Sequence, residues 1–297
     1  MTDLVVAALR EIAPVARGQV DLGRRRLRWI ESGAGAPTVV LIAGRNDTAL
    51  SWGPVLAALA GRAHAVAYDR AGLGDSDPDT QAVSAERSVA DLSRLIDAVG
   101  GGPCVVAGHS YGGLLALLLA ASRPDQLSGL VLVDPALPAI VDWLPRPLRR
   151  VLGWTTRAWP LVRYATGRHR PLARRVARTA AVSFSDDPRV QALVTRAYLA
   201  SADWPHVLAA YREGLGIRAS ERAFAHALAA APEPGMPAVV ISATEGRPAW
   251  IRRRWTAGQA QLAADSGAAH IVAEGSGHAV PLDRPALVAD AIIACKR

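Results

Sequence analysis

Short apolar runs bounded by glycine and proline recur along the chain and predict buried strands. Several runs are apolar throughout instead of alternating with polar positions, which is typical of strands covered on both faces of a parallel sheet. Residues 20–21 and 27–31, with Gly23 near the turn, predict a first hairpin. The other predicted strands are 38–42, 63–68, 103–107, 127–133, 238–242 and 269–273.

Helical patterns separate most of these strands. Alternation of this kind favours an α/β layered fold, in which right-handed crossover helices cover the sheet. The predicted helices are 49–61, 84–99, 111–122, 249–265 and 285–294.

The alternation stops between Asp134 and Pro237. That stretch of about 100 residues has no strand pattern and is too long for an ordinary loop. It contains seven prolines between Pro138 and Pro205, a density that predicts helices cut into short pieces. We therefore expect a helical cap at 135–237, inserted after the sixth strand into a core made of 1–134 and 238–297.

Composition narrows the class of protein. The chain has 297 residues, of which 51% are hydrophobic and 20% charged, so a globular protein is expected. No apolar run reaches the roughly 18 residues that span a bilayer, and the apolar stretch at 4–9 is too short for a secretory leader. Two cysteines cannot build a disulfide framework or a structural zinc site. These features predict a cytoplasmic protein without a metal.

The charge is concentrated in the predicted cap. The net charge is +8, and residues 135–237 hold 15 arginines against 7 acids, while the rest of the chain is balanced. Ten arginines and no acid lie between Arg146 and Arg178, beside Trp143, Trp154 and Trp159. One interpretation is a solvated helical face with tryptophans turned to the core. The other is a surface for anionic lipid or an anionic substrate. A nucleic-acid partner is not expected, because no nucleic-acid-binding motif accompanies the charge.

Residues 104–113 carry the strongest chemical pattern. An apolar strand leads into Gly108-His109-Ser110-Tyr111-Gly112, a G-x-S-x-G motif, and then into an apolar helix. A nucleophile on such a sharp turn has a strained backbone, and the two glycines keep Cβ atoms out of the crossing between strand and helix. The helix N-terminus places N–H groups beside the serine oxygen.

With this motif in its strand-turn-helix context, the sequence resembles the α/β-hydrolase family along nearly its whole length, and in particular its capped serine esterases and lipases. Ser110 follows the fifth strand, and Gly277-His278 follows the eighth, as in that family. Residues 68–76 resemble the family's D-x-R-G-x-G-x-S stretch, with Ala71 in place of one glycine. The resemblance implies a mostly parallel eight-stranded sheet flanked by helices, with a helical cap after strand 6.

The resemblance also implies roles for individual residues. Ser110 would be the nucleophile and His278 the general base. The backbone N–H of Tyr111 and one from the loop after the third strand would form the oxyanion hole. In that loop we assign the donor to Arg45, with Asn46 as a fallback; Ala43 stands where family members often have histidine.

The third member of the triad has two candidates. The family usually takes the acid from the loop after the seventh strand, where the expected position is occupied by Gly246 and Glu245 lies one residue away. Some members take it from the end of the sixth strand, where Asp134 stands. We favour Asp134 and keep Glu245 as the alternative.

These roles imply a serine hydrolase that cleaves a carboxylic ester or related acyl compound through an acyl-enzyme, without metal or organic cofactor. A cap lined with tryptophan and aliphatic side chains would favour an apolar small-molecule substrate. A serine nucleophile argues against dehalogenase and epoxide hydrolase chemistry, for which the family uses aspartate. The alternatives are C–C bond hydrolysis or cofactor-free perhydrolysis on the same triad, and a non-catalytic member that binds a hydrophobic ligand. The oligomeric state is left open.

Overall fold

The computed structural model of the protein describes residues 3–11, 13–137, 146–200, 202–230 and 236–295, and eight strands within them form one sheet. The strands are β1 (Val15–Asp21), β2 (Arg26–Ser32), β3 (Thr38–Ile42), β4 (His64–Asp69), β5 (Cys104–His109), β6 (Leu127–Val133), β7 (Ala238–Ala243) and β8 (Ala269–Ala273). Their order is β1-β2-β4-β3-β5-β6-β7-β8. Only the pairs that involve β2 are antiparallel. The predicted mostly parallel α/β sheet is confirmed.

Helices cover both faces of this sheet. Neighbouring strand residues point into different apolar clusters: Leu41 and Ala107 pack on one face, Val40 and Val106 on the other. Double coverage explains why these strands lack polar alternation. No helix of the described ranges combines the length and the apolar character that crossing a membrane requires. The helices are α1 (Asp3–Arg10), α2 (Gly53–Leu59), α3 (Ala85–Val99), α4 (Tyr111–Ser122), α5 (Arg146–Ala165), α6 (His169–Phe184), α7 (Pro188–Ala200), α8 (Trp204–Ala219), α9 (Glu221–Ala230), α10 (Ala249–Ser266), α11 (Val280–Asp283) and α12 (Pro285–Ala294).

The N-terminal part departs from the sequence expectation. The first strand starts at Val15, five residues before the predicted start, and its outer positions are largely exposed because it lies at the edge of the sheet. The apolar stretch at 4–9 belongs to α1, a helix that the pattern analysis did not predict. Leu9 of this helix is buried, and α1 packs against α7 of the cap.

Helices α5 to α9 form the cap between β6 and β7. The expectation of short helical pieces is wrong, because α5 has 20 residues and α6 has 16. Four cap prolines lie within the first three residues of a helix, where the backbone N–H that proline lacks would have no partner within the helix. They are Pro147, Pro171, Pro188 and Pro205. Pro160 lies inside α5, so one proline is accommodated within a helix. Residues 138–145, which include Trp143, and residues 231–235 belong to the predicted cap but lie outside the described residues.

Candidate active site

Ser110 lies on the turn between β5 and α4. Its backbone has φ 52° and ψ −114°, a left-handed conformation that costs a non-glycine residue about 1–3 kcal/mol. The surrounding structure holds this turn: the Ser110 N–H donates to Val133 O at 2.9 Å, and its carbonyl accepts from the Gly113 N–H at 3.0 Å. The hydroxyl is thereby presented at the carboxyl edge of the sheet.

Two glycines make this turn sterically possible. A Cβ at Gly108 would lie 2.3 Å from Gly112 O, and a Cβ at Gly112 would lie 2.3 Å from Ile42 O. Both contacts are with backbone atoms, which cannot swing away as a side chain could. The crossing of β5, α4 and the end of β3 therefore excludes any side chain at these positions.

His278 brings its imidazole to Ser110 from the loop after β8. Its Nε2 is 3.0 Å from Ser110 Oγ, and its Nδ1 is 2.5 Å from Asp134 Oδ2. A proton on Nδ1 would be donated to Asp134, which leaves Nε2 free to accept the serine proton. The three side chains are therefore connected in the order that proton transfer from the serine requires.

Asp134 is completely buried at the end of β6, with φ 41°. Its Oδ1 accepts hydrogen bonds from Trp255 Nε1 at 2.8 Å, from Gln259 Nε2 at 3.0 Å and from the Ala243 N–H at 3.2 Å. Burial raises its pKa, but the hydrogen bond from His278 and the charges of His278 and Arg247 outweigh burial and hold the pKa at about 2. The carboxylate is thus kept ionised beside the imidazole.

The structure does not bring Glu245 to the imidazole. Glu245 is exposed, and its backbone N–H donates to Ser276 O at 2.9 Å. Within the described part of the chain, no hydrogen bond joins its carboxylate to His278.

Arg247, in the same loop after β7, supplies a cation that sequence reasoning missed. Its Nη1 donates to Asp134 Oδ2 at 3.1 Å, and its Nη2 lies 2.8 Å from His278 Nδ1. The guanidinium stacks on Trp255, with Cζ 3.8 Å from the ring centroid. Arg247 and the imidazole therefore share one carboxylate oxygen. No sequence pattern marks this position.

The two predicted oxyanion donors are the backbone N–H groups of Tyr111 and Arg45. Across the described residues, the N–H groups of Tyr111 and Arg45 donate to no backbone or side-chain acceptor, and both residues line the cavity that contains Ser110. The fallback donor is engaged elsewhere, because the Asn46 N–H donates to the carboxylate of Glu213 at 3.0 Å.

His109 supports the loop that carries His278. Its Nε2 donates to the His278 carbonyl at 2.7 Å. Burial, assisted by the nearby His278, lowers the pKa of His109 to about 3, so its ring is neutral. Its Nδ1 faces Gly44, where an added Cβ would come within 3.0 Å.

A cavity of about 640 Å³ lies over Ser110, between the sheet edge and the cap. Its apolar lining includes Leu114, Leu172, Val176, Val207 and Ile217. The expected aliphatic lining is present, but no tryptophan belongs to the described lining. The described cap tryptophans, Trp154 and Trp204, have exposed side chains instead.

A comparison with protein families identifies the fold. The model of the "Alpha/beta hydrolase family" matches residues 39–291. The chain belongs to this family. Among solved structures, Cfl2 from Burkholderia cenocepacia superposes with a TM-score of 0.73 at 24% identity, over 95% of this chain and 96% of that one. The thioesterase domain from the curacin biosynthetic pathway gives a TM-score of 0.66 at 22% identity, over 94% and 99%. Identities at this level establish the fold alone.

Curated relatives of this protein are similar over limited segments. The putative carbamate hydrolase RutD of Azorhizobium caulinodans is 37% identical over 102 residues, which are 34% of this chain and 38% of that protein. Lipase LipV of Mycobacterium tuberculosis is 54% identical over 52 residues, 18% of this chain and 20% of that protein. The matches thus span between a fifth and two fifths of these relatives. They support a hydrolase and leave its substrate undetermined.

The loop that contains Arg45 is held by a buried ion pair. Arg70, within the 68–76 motif, donates to the carbonyls of Ala43 at 2.6 Å and Gly44 at 2.8 Å. Its Nε donates to Glu213 of the cap at 2.6 Å. Burial opposes the charge, but Glu213 outweighs burial and raises the pKa of Arg70. The 68–76 stretch was marked only by its resemblance to the family motif, and its partner Glu213 on α8 belongs to no sequence pattern.

Proposed function

We propose that this protein is a serine hydrolase that cleaves a carboxylic ester or a related acyl compound through an acyl-enzyme. The observation that carries the proposal is the connected line of Ser110 Oγ, the His278 imidazole and Asp134, with distances of 3.0 and 2.5 Å. The names of the relatives, a carbamate hydrolase and a lipase, are compatible with acyl chemistry.

In the proposed mechanism, His278 Nε2 takes the proton of Ser110 as Oγ attacks the acyl carbon. Asp134 accepts a hydrogen bond from Nδ1–H and stabilises the imidazolium that forms. The N–H groups of Tyr111 and Arg45 bind the oxyanion, an interaction worth about 3 kcal/mol of barrier per donor. His278 then protonates the leaving group, and water releases the acyl group by the reverse route.

A fluorophosphonate probe tests the serine mechanism. The wild type should be labelled at Ser110, and the Ser110→Ala variant should not. Wild-type turnover of p-nitrophenyl esters of increasing chain length then reports the acyl preference. Folded protein that is neither labelled nor active on any ester would contradict the proposal and favour a non-catalytic ligand-binding role.

We also propose that the cap makes peripheral contact with anionic lipid. On α5, Trp154 lies three residues after Val151, and Val162 lies eleven residues after it, so all three share one side of the helix. All three side chains are exposed. On α6, Leu172, Val176 and Val182 are exposed as well. We call these six apolar residues the α5–α6 face, and the same two helices carry exposed arginines, among them Arg150, Arg174 and Arg178. Exposed apolar residues combined with basic ones are typical of helices that lie in a membrane interface.

A further inference from the structure

Two residues of the cap line the cavity above Ser110 and each carry a polar side-chain atom without a partner among the described residues. Arg163, near the end of α5, and His169, at the start of α6, both line this cavity. Arg163 Nε and His169 Nδ1 are buried and have no hydrogen-bond partner in the part of the chain that the structure describes. The His169 ring is fixed by stacking on Tyr164, with centroids 4.6 Å apart.

Arg163 differs from the other arginines of the basic run. Six of them have exposed side chains that water can solvate, whereas Arg163 is partly buried. Burial alone lowers the pKa of Arg163; no carboxylate contributes to it. A buried cation without a counter-charge is unfavourable unless something outside the protein pairs with it. The exposed six are Arg150, Arg168, Arg170, Arg174, Arg175 and Arg178.

Asp47, the one acid among the described residues that line the cavity, is engaged elsewhere. Asp47 accepts the backbone N–H of Thr48 at 2.9 Å, and burial raises its pKa to about 6. No ion pair joins Asp47 to Arg163 within the described residues. The imidazole of His206 is also occupied, 3.3 Å from the Asn46 carbonyl. Arg163 therefore remains available to a ligand.

We propose that Arg163 and His169 bind a carboxylate carried by the substrate, so that the enzyme prefers esters bearing a free carboxylate, such as half-esters of dicarboxylic acids. A guanidinium binds a carboxylate through parallel hydrogen bonds, and His169 Nδ1–H can add a third donor. Aliphatic side chains of the cavity, Leu172 and Val176 among them, would pack on the chain between the carboxylate and the scissile carbonyl. This inference rests on the proposed ester hydrolysis at Ser110.

Two matched pairs of substrates test the preference on either side of the scissile bond. Mono-p-nitrophenyl adipate is compared with p-nitrophenyl hexanoate, which has the same acyl length without the carboxylate. The 4-carboxyphenyl ester of hexanoic acid is compared with the phenyl ester. For wild type we expect kcat/KM to be roughly ten- to hundredfold higher for the charged member of at least one pair, as a charge-assisted hydrogen bond provides.

Variants then assign the preference to Arg163. Arg163→Gln should bring the ratio of kcat/KM between the charged and the neutral ester of a pair close to one, and Arg163→Lys should retain part of the preference. Arg168→Gln, at an exposed arginine of the same segment, is the matched control and should keep the full preference. Equal rates for both members of both pairs in wild type, or a preference that survives Arg163→Gln, would overturn the proposal.

A binding measurement separates this inference from the proposed reaction. In Ser110→Ala, which cannot turn over, free adipate should raise the melting temperature, and the additional change Arg163→Gln should remove that rise. Wild type that hydrolyses neutral esters without any response to adipate would refute the carboxylate site and leave the hydrolase proposal standing. Conversely, an adipate response in a protein that no fluorophosphonate labels would refute the serine mechanism alone. Arg163→Gln alone should unfold no earlier than wild type; a clear loss of stability would mean that Arg163 has a partner within the protein, against the proposal.

Discussion

Asp134 is the residue whose surroundings are most completely specified, since five donor groups converge on its two oxygens. We predict that Asp134→Asn lowers kcat by about 10⁴-fold, because an amide NH2 facing Nδ1 favours the wrong imidazole tautomer. Glu245→Gln, in an exposed loop, should stay close to wild type. Initial rates on p-nitrophenyl butyrate, with circular dichroism as a control for folding, check both variants. A severe loss of kcat in Glu245→Gln with a mild loss in Asp134→Asn would mean that the loop after β7 supplies the acid of the triad.

His109 links stability to pH. Its pKa is about 3 in the folded protein, against an ordinary value of 6.5, so between these values the unfolded chain binds a proton that the folded one does not. Its contribution to stability is complete above pH 6.5 and is lost as pH falls towards 3. We predict that the free energy of unfolding of wild type, relative to His109→Gln, falls by about 1 kcal/mol between pH 7.5 and 5.5. Urea titrations at both pH values measure the difference.

The glutamine is chosen because its amide can still donate to the His278 carbonyl. Buried acids with raised pKa, such as Asp69 at about 6, titrate in both proteins and cancel in the comparison. A difference that does not change with pH would mean that His109 has the same pKa in the folded and the unfolded protein, contrary to the effect of its burial.

At the scale of elements, the crossing of β5 and α4 depends on the absence of side chains. Gly112→Ala would drive a Cβ against Ile42 O, so we predict a loss of more than about 2 kcal/mol in unfolding free energy. Gly153→Ala is the matched control inside α5, where an added Cβ meets no atom of the described residues. That change should stabilise by about 0.5–1 kcal/mol, because alanine favours a helix more than glycine. Guanidinium titration of both variants distinguishes a local clash from a general intolerance of alanine.

The Arg70–Glu213 pair couples the cap helix α8 to the loop that contains Arg45. Glu213→Ala would leave a buried guanidinium and the Asn46 N–H unpaired, so we predict a loss of about 3–5 kcal/mol in stability. We also expect kcat to fall by roughly ten- to hundredfold, less than the loss of a whole oxyanion donor. Glu213→Gln can still accept from Asn46 and should be milder in both respects. Wild-type kcat in Glu213→Ala would show that the loop holds its shape without the cap.

Elements whose limits are set locally were predictable. Strands β3, β6 and β8 match their predicted ranges, because each is an apolar run that ends at local polar or turn residues. The missed helix α1 is stabilised by packing on α7, which no local pattern encodes. The prediction of short cap helices treats every proline as a helix breaker. Proline in the first turn of a helix is compatible with that helix, and most of the described cap prolines lie there.

At the scale of the whole molecule, the site draws on residues far apart in the chain. Ser110 and His278 could be found because each belongs to a spaced motif. Trp255 and Gln259 reach Asp134 across 121 and 125 residues, and Glu213 reaches Arg70 across 143. Such contacts depend on how α8 and α10 pack in the folded protein. Sequence periodicity can predict a helix, but it does not predict which distant residues its side chains contact.

The excess of positive charge in residues 135–237 predicts an interaction of the protein with anionic membranes. Six arginines of the basic run have exposed side chains, and the α5–α6 face adds exposed Trp154 and Val151. We predict that the wild type co-sediments with vesicles of equal parts phosphatidylcholine and phosphatidylglycerol at low salt, but not with phosphatidylcholine alone. Salt should release the protein, because exposed charges are screened.

The apolar part of the same face is tested by Trp154→Ser. Burying that side chain in the interface contributes about 1.5–3 kcal/mol, so the variant should bind the mixed vesicles roughly ten- to hundredfold more weakly. Trp250→Ser, at an exposed tryptophan on α10 outside the face, is the matched control and should bind as wild type. If wild type binds neither vesicle, the arginines form a solvated surface only. If both variants weaken binding equally, attraction is general to the molecule and the α5–α6 face has no special part in it.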